Sequence, residues 1–473
     1  MKKASVLILT ILFIFLSATV VWQWIIYSNH KSQVVSTPNE KITLAVTVKV
    51  GEKGLTINQV FKNLQNGSRY GAIIPEHASE LVCTNSEGVP CQNDYETQSI
   101  KAKGDELQFE YFIKIDASAV EFILNDWLVS FSEREIASTR IEIVDRLHRK
   151  GTWVAGLPLK GYRQMEVVKY YVFEGLGENP SLYWQNRSLE KFSGQKGIQY
   201  YSSSPEQPGI YQFDSLKGLT DKNHLSVIFN SENRIFHGNG LLLAASSLSK
   251  NELEQQLAIS LLSQKIQGLE PNNKRLLEAL ASLIIKQPAS NPKSQAIVRE
   301  LKTKLTSEEI NDFTLFLAGI EASIDYIELN DQLAAIKGMG TKFFTLNKQD
   351  DSSLYPLLFN DDRRVMANGQ KIMDWDILLE GDSKLFPLIK TMSSLGAHTN
   401  VDSRMTSIQV TSNNSKYSFN LKNNTFVMNG ESFGLLENPF KIISGTVYIE
   451  EHWLQAIFKV SIDESEEEIA LSL

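Results

Sequence analysis

One part of the chain places residue types at a spacing that could build a reactive site. An apolar string that opens at Gly240 precedes a segment reading Gln-Gln-Leu-Ala-Ile at 255–259, and eighteen residues separate Ile259 from Glu278. Other sources of chemistry are missing from the sequence, which has neither a Gly-x-Ser-x-Gly elbow nor a phosphate-binding glycine loop. The seven histidines form no pair at ligand spacing and stand at His30, His77, His148, His224, His237, His398 and His452.

The spacing at 255–278 resembles that of the gluzincin metallopeptidases, especially the M1 aminopeptidase and M61 glycyl aminopeptidase families. Their helix reads His-Glu-Leu-Ala-His, and a glutamate eighteen residues further on completes a zinc site. The order of a β domain followed by a helical domain is also similar to those families. The resemblance implies that the degenerate zinc-site positions of this chain are Gln255, Gln256, Ile259 and Glu278.

The departures from that pattern decide the chemistry. Gln255 and Ile259 stand where the family has histidine ligands, and isoleucine has no donor atom. Gln256 replaces the general base with an amide that cannot accept a proton from water. We therefore predict a pseudopeptidase with no catalytic residue, no metal ligand and no cofactor. The alternative is a plain amphipathic helix pair in which Glu278 occurs by chance.

The two cysteines, Cys83 and Cys91, flank the turn-rich string Thr-Asn-Ser-Glu-Gly-Val-Pro. In an oxidising compartment they could pair and hold a hairpin loop, which makes them a disulfide candidate. The other interpretation is a pair of free thiols. A metal site is disfavoured because no histidine or third cysteine is near in sequence.

The periodicity of apolar residues changes once along the chain. Alternation at 42–50 and 107–115, with a further candidate strand at 139–144, predicts an antiparallel β domain over 41–150. Strands continue at 167–173, 225–229 and 240–244. Helices follow at about 249–266, 272–287, 294–305 and 307–337, two of them introduced by capping boxes at Ser249 and Thr306. We therefore predict a gluzincin-like region over 151–345, first β and then helical, and a linker at 346–364.

The C-terminus contains a gapless repeat with an offset of 61 residues. Asn368-Gly369 recurs as Asn429-Gly430, and the apolar positions around them recur with it. At this offset the first helix would face the core with Met392 and Leu395, and the second with Trp453 and Ile457. We name these units repeat 1 (365–425) and repeat 2 (426–473), and we expect them to pack as a pair.

The repeats resemble the copper amine oxidase-like N-terminal domain, or stalk domain. The pattern consists of an Asn-Gly hairpin, a strand containing Pro-Leu, a helix ending in Leu-Gly and a hairpin centred on Asp402. The oxidase holds its copper with histidines of a different domain. His398 and His452 are unmatched between the repeats, so we predict no copper site here.

The N-terminal segment predicts a membrane location. Lys2 and Lys3 precede an apolar stretch that reaches Tyr27 without a charge, which is long enough to cross a bilayer. We expect an uncleaved signal anchor at 1–28, a linker at 29–40 and an extracytoplasmic bulk, with a cleaved signal peptide as the rival. The formal net charge of −8 argues against a nucleic-acid partner.

The sequence thus predicts a multidomain α+β protein of 473 residues with a transmembrane helix, a β domain, a gluzincin-like region and two stalk repeats. The predicted function is non-catalytic binding or scaffolding, with a cell-envelope polymer or protein as the partner. The alternative is a divergent metallopeptidase-like hydrolase of the cell envelope.

Overall fold

The computed structural model describes residues 41–473 except 95–98, 133–135, 148–149, 204–210, 222, 233, 267–273, 321–322, 350–352, 373–374, 382, 403–405, 413–414 and 422–423. The chain divides into two compact units. Unit 1 consists of Met1–Val120, Asp126–Arg149 and Leu159–Asn179, and unit 2 of Glu121–Asn125, Lys150–Pro158 and Pro180–Leu473.

Unit 1 is built on a seven-stranded sheet in the order β12-β13-β10-β1-β2-β7-β4. Its strands are β1 (Ile42–Gly51), β2 (Gly54–Lys62), β4 (Ala78–Asn85), β7 (Leu107–Lys114), β10 (Ile136–Asp145), β12 (Leu159–Gln164) and β13 (Lys169–Gly175). A second, four-stranded sheet contains β3 (Arg69–Ile73), β5 (Gln92–Asp94), β6 (Ser99–Lys101) and β9 (Ser130–Phe131). Alternate residues of β1 and β7 are buried, as their period of two predicts.

The predicted antiparallel domain over 41–150 differs from this unit in two respects. β1 and β10 pair in parallel, with Leu44 opposite Thr139, so the large sheet is mixed. The sheet also takes β12 and β13 from beyond residue 150. Alternation along a strand reports which side chains are buried, but it carries no information about which strand lies next to it.

The first part of unit 2 contains two sheets. The three-stranded sheet has the order β11-β14-β8, with β8 (Glu121–Leu124), β11 (Thr152–Ala155) and β14 (Leu182–Gln185). The five-stranded sheet has the order β15-β16-β17-β19-β18 and mixes parallel and antiparallel pairs. Its strands are β15 (Glu190–Ser193), β16 (Ile198–Ser202), β17 (Leu225–Asn230), β18 (Phe236–Gly238) and β19 (Leu241–Ala245).

Helical segments lie before β17 and after β19, and they bury their apolar faces in one core with the five-stranded sheet. A short 3-10 turn and seven helices are described up to residue 346: Asp214–Leu216, then α1 (Lys217–Thr220), α2 (Lys250–Ser263), α3 (Lys274–Ile285), α4 (Pro292–Lys304), α5 (Ser307–Gly319), α6 (Tyr326–Lys337) and α7 (Phe343–Leu346). Both predicted capping boxes are present, at Ser249 and Thr306. The helix predicted over 307–337 is two helices, because Asp325 forms a third capping box and starts a new one.

The C-terminal module contains both repeats. Its strands are β20 (Phe359–Asp361), β21 (Arg364–Ala367), β22 (Gln370–Ile372), β23 (Ile377–Glu380), β24 (Ser383–Pro387), β25 (His398–Val401), β26 (Ser407–Ser412), β27 (Ser415–Asn420), β28 (Thr425–Met428), β29 (Glu431–Gly434), β30 (Phe440–Ile443), β31 (Thr446–Glu450), β32 (Ser461–Glu464) and β33 (Glu468–Ser472). Its helices are α8 (Leu388–Ser394) and α9 (Glu451–Phe458). The Asn-Gly pairs form the predicted turns, with positive φ at Asn368, Gly369, Asn429 and Gly430.

The two repeats share sheets and a core. β24 of repeat 1 pairs with β31 of repeat 2, and β21 of repeat 1 pairs with β33 of repeat 2. One hydrophobic cluster contains buried residues of both, including Met392 and Phe458. The expectation that the repeats pack as a pair agrees with this arrangement.

The gapless register is wrong in the middle of the module. The hairpin strands β21 and β28 start 61 residues apart, whereas α8 and α9 start at residues 388 and 451, which are 63 apart. The inward residues of α9 are therefore Leu454 and Phe458, while Trp453 and Ile457 are only partly buried. Repeat 2 has two more residues than repeat 1 before its helix and two fewer after it, so the offset between the repeats returns to 61.

Ion pairs also join repeat 2 to repeat 1 and to the residues just before it. Arg363 Nη2 lies 2.6 Å from Asp361 and 3.0 Å from Glu464 of repeat 2, and Lys384 pairs with Glu464 as well. The hydrogen bond from Arg363 holds the pKa of Asp361 below its usual value. Burial raises the pKa of Glu464, but hydrogen bonds from Lys384 and Arg363 outweigh that effect and leave it lowered.

The expectation of a single-pass membrane protein with its bulk outside is corrected by the fold. No helix in the described part of the chain is long and apolar enough to span a bilayer. The longest, α2, has 14 residues, or roughly 21 Å at 1.5 Å per residue, against a hydrocarbon core of about 30 Å. The segment 1–28, on which the prediction rested, lies outside the described residues.

Candidate functional site

The candidate site lies where α2 packs against α3. Ser249 accepts a hydrogen bond from Glu252 N–H, and Glu252 in return accepts one from Ser249 N–H, so α2 begins at a fixed residue. This fixed start sets the direction of each later side chain on α2. Leu257 and Leu261 are buried in the core of the helical region, and Gln255 and Gln256 follow the start by less than two turns.

Gln255 and Glu278 meet, as the spacing of the resemblance implies. Gln255 Nε2 lies 3.3 Å from Glu278 Oε1. The same carboxylate oxygen accepts hydrogen bonds from Ser290 N–H at 2.6 Å and Asn291 N–H at 3.0 Å. The second oxygen accepts from Ser294 Oγ at 2.9 Å. Glu278 therefore binds the chain immediately before α4 and stabilises the start of that helix.

Gln256 belongs to a separate, partly buried cluster. Its Oε1 lies 2.9 Å from His237 Nε2, and Ser260 Oγ lies 2.7 Å from His237 Nδ1. Ser260 is four residues after Gln256, so both present the same helix face to the histidine on β18. Burial lowers the pKa of His237 to about 4, although the hydrogen bond that His237 Nε2–H donates to Gln256 Oε1 opposes that shift. His237 is therefore neutral at pH 7, with one ring nitrogen donating and the other accepting.

The residues at these positions do not fit the zinc ion that the resemblance implies. Zinc sites in proteins use imidazole, thiolate or carboxylate donors. Ile259 is buried and has none, and the Gln255 amide nitrogen already donates to Glu278. Only Glu278 is a suitable ligand type. Among the residues that the structure describes, no group of three or more His, Cys, Asp and Glu side chains could hold a metal ion.

The sequence spacing brought Gln255 and Glu278 together, but sequence reasoning missed the other residues of the site. His237 is one of seven histidines that show no ligand spacing in the sequence. The polar i, i+4 pair at 256 and 260 nevertheless indicates a helix face that needs a polar partner. The Asn-Pro step at 291–292, typical of a helix N-terminus, was the available signal for the chain that Glu278 binds.

Cys83 and Cys91 form a disulfide in unit 1, with their Cα atoms 5.4 Å apart. Cys91 N–H donates to Cys83 C=O at 3.0 Å, so the intervening residues turn back as a hairpin. Asn85 Oδ1 accepts from Glu87 N–H and Val89 N–H inside that loop. The disulfide therefore closes a loop whose hairpin conformation is already stabilised by hydrogen bonds within the loop.

The C-terminal module is similar to a known domain family. Residues 366–473 match the copper amine oxidase N-terminal domain. The match covers both repeats, and the predicted resemblance of these residues is confirmed. No curated protein sequence matches the chain.

Solved structures of M1 zinc metallopeptidases are similar to the chain at low sequence identity. The enzyme from Deinococcus radiodurans superposes with a TM-score of 0.45 and 10% identity, over 63% of this chain and 92% of that one. A mutant of that enzyme bound to a Tyr-Ser-Ala substrate gives a TM-score of 0.46, also at 10% identity, over 63% and 90%. A mutant two-domain M1 zinc metallopeptidase bound to L-tryptophan gives 0.47 at 10% identity, over 67% and 96%. All three values lie below 0.5, so the functional argument rests on the residues of this chain.

Proposed function

We propose that the chain is a non-catalytic binding or scaffold protein that combines a peptidase-like region without catalytic machinery and a C-terminal stalk-type module. The observation that carries this proposal is the pairing at positions 255 and 256. Each polar side chain there is hydrogen-bonded to a residue of its own chain, Gln255 to Glu278 and Gln256 to His237. An enzyme site of the gluzincin kind needs these two positions as a ligand and a base.

The shared sheets of the C-terminal module support a spacing or binding role for it. The hydrogen-bonded pair of β24 and β31 and the common core make the two repeats one body, and so they hold whatever they bind at a fixed position. A protein or polymer partner fits such a module. This role is independent of whether the peptidase-like region binds anything.

The proposal is tested by the zinc content of the purified full-length chain after dialysis against zinc, measured by plasma mass spectrometry, and by assays with aminoacyl substrates. We expect substoichiometric zinc and no hydrolysis. Stoichiometric zinc together with chelator-sensitive peptidase activity would overturn the proposal and favour the divergent metallopeptidase-like hydrolase.

A matched pair of variants separates the non-catalytic role from the gluzincin resemblance. Gln255→His with Ile259→His would give three ligands with Glu278, so this double variant should gain close to one zinc per chain. Gln255→His alone supplies only two ligands and should not. If the double variant takes up no zinc, the resemblance at these positions is wrong, while the non-catalytic role stands.

A further inference from the structure

Strand β12 forms one edge of the large sheet of unit 1. In the part of the chain that the structure describes, it pairs with β13 and with no strand on its outer side. Met165 N–H donates to Val168 C=O at 2.9 Å in the turn between β12 and β13. Because the ladder bonds of an antiparallel pair alternate, the backbone groups of Tyr162 and Gln164 point away from β13. The edge therefore presents a donor and an acceptor at every second residue.

The face of β12 that carries Tyr162 is open to solvent and combines the aromatic ring with the Gln164 side chain, whose Oε1 accepts a hydrogen bond from the Tyr162 hydroxyl at 2.8 Å. The Tyr162 ring is 4.9 Å from that of Tyr171, which in turn stacks with Phe173 inside the sheet. Tyr162 is 49% exposed, and Met165 and Val167 in the adjoining turn are 49% and 63% exposed. The aromatic side of the sheet thus continues from the buried Tyr171 and Phe173 to the edge strand, where Tyr162 is half exposed to solvent.

Arg163 places a positive charge on the opposite face of the same strand. Arg163 follows Tyr162 in the strand and so points the other way. Arg163 and Lys160 are both exposed, and neither has a carboxylate partner among the described residues. Further into the sheet, Arg140 is paired with both Glu142 and Glu174. Unpaired cations on an edge strand are conspicuous in a chain with a formal net charge of −8.

We propose that β12 binds an extended peptide segment that joins the sheet as a further strand and carries alternating apolar and acidic side chains. Strand addition uses the outward backbone groups of Tyr162 and Gln164 for affinity. The alternation of side chains places an apolar group beside Tyr162 and a carboxylate beside Arg163. Lys160 lies at the irregularity between Leu159 and Gly161 and offers a second positive charge.

The competing role for these features is protection of the edge, since natural edge strands are shielded by lysines and bulges. The full-length chain distinguishes the two when titrated against fluorescein-labelled peptides about ten residues long, whose binding is followed by fluorescence anisotropy. One peptide alternates valine and glutamate, a second has the same composition in two blocks, and a third alternates valine and lysine. We expect the first to bind at least about tenfold more tightly than the other two.

Matched variants test the geometry. Gln164→Pro removes an outward N–H without removing a bond to β13, whereas Gln164→Ala keeps that N–H. We expect Gln164→Pro to weaken binding of the valine–glutamate peptide about tenfold relative to Gln164→Ala. Arg163→Glu should transfer the preference to the valine–lysine peptide, and Arg163→Lys should leave it unchanged. Circular dichroism melts establish that each variant is folded.

Three outcomes overturn this inference: no binding of the valine–glutamate peptide, equal binding of the blocked peptide, or a Gln164→Pro variant that binds as the parent does. Each of these outcomes would indicate that Lys160 and the irregularity serve to protect the edge strand from pairing with other strands. The β12 surface belongs to unit 1, whereas the zinc measurements probe positions 255–278 of unit 2, so the two sets of results are independent.

Discussion

Replacing Phe458 with alanine tests whether the two repeats form one cooperative body. Phe458 is buried at the end of α9, with its ring 5.1 Å from Tyr417 and 5.9 Å from Phe419, both on β27. Truncation of a buried phenylalanine costs about 3–5 kcal/mol, part of it from lost aromatic contacts. We expect a loss of that size in the free energy of opening of the C-terminal module.

Hydrogen exchange measured by mass spectrometry on the full-length chain is the suitable assay, because a multidomain chain has no single unfolding free energy. A loss of about 3 kcal/mol should accelerate exchange from the fully opened module roughly 100-fold. The acceleration should appear in peptides from β25 and β26 of repeat 1 as well as β32 and β33 of repeat 2. Phe458→Leu, costing about 1 kcal/mol, provides a graded variant in case the alanine variant unfolds the module.

Trp453→Ala is the matched control, since Trp453 is only partly buried and should cost less than Phe458→Ala. The gapless repeat predicted the reverse order. If Phe458→Ala accelerates exchange in repeat 2 alone, the repeats open independently and the interpretation of a shared core is wrong.

The module should also lose stability as the pH falls from 5 toward 3, because the pKa values of Asp361 and Glu464 are lower in the folded state. Their contribution is complete above the unfolded values of about 4, declines below them and is lost as the pH falls through the lowered folded values. Exchange at pH 3, corrected for the intrinsic rate, checks this, and an Asp361→Asn variant that keeps the full pH dependence would contradict it. Glu278→Ala should destabilise the start of α4 by about 1 kcal/mol, because the N–H groups of Ser290 and Asn291 lose their acceptor. Glu278→Gln, which keeps a carbonyl, should lower the melting temperature less, and equal melting temperatures for Glu278→Ala and the parent would refute this expectation. Cys83 and Cys91 should resist alkylation without a reductant, and their reduction should cost about 2–3 kcal/mol for so short a loop; full alkylation of the unreduced protein would show that the disulfide is absent.

The elements that sequence reasoning located correctly are those whose signals are local. The capping boxes at Ser249 and Thr306 fix helix starts because side chain and backbone within three residues satisfy each other. The Asn-Gly pairs give turns because asparagine and glycine tolerate positive φ. Alternation along β1 and β7 gives strands with one buried face.

The features that sequence reasoning missed depend on partners distant in the chain. The parallel pairing of β1 with β10 joins residues more than ninety positions apart, and no local pattern specifies it. The shift from 61 to 63 residues before α9 was hidden because Met392 and Trp453 are both large and apolar, so the wrong register still matched in residue type. Burial distinguishes the two registers, since Leu395 and Phe458 are both buried whereas Ala456 is exposed.

The candidate site shows the same division between local signals and distant partners. Where zinc is bound, metal binding contributes to folding, so a chain that lacks the ligands must satisfy the remaining polar groups in another way. Here Glu278 accepts hydrogen bonds from the chain before α4, and Gln255 donates to the same carboxylate. The polar atoms at these positions are therefore needed for the packing of α2, α3 and α4. It follows that a substitution at Glu278 should change the stability of the helices that meet there.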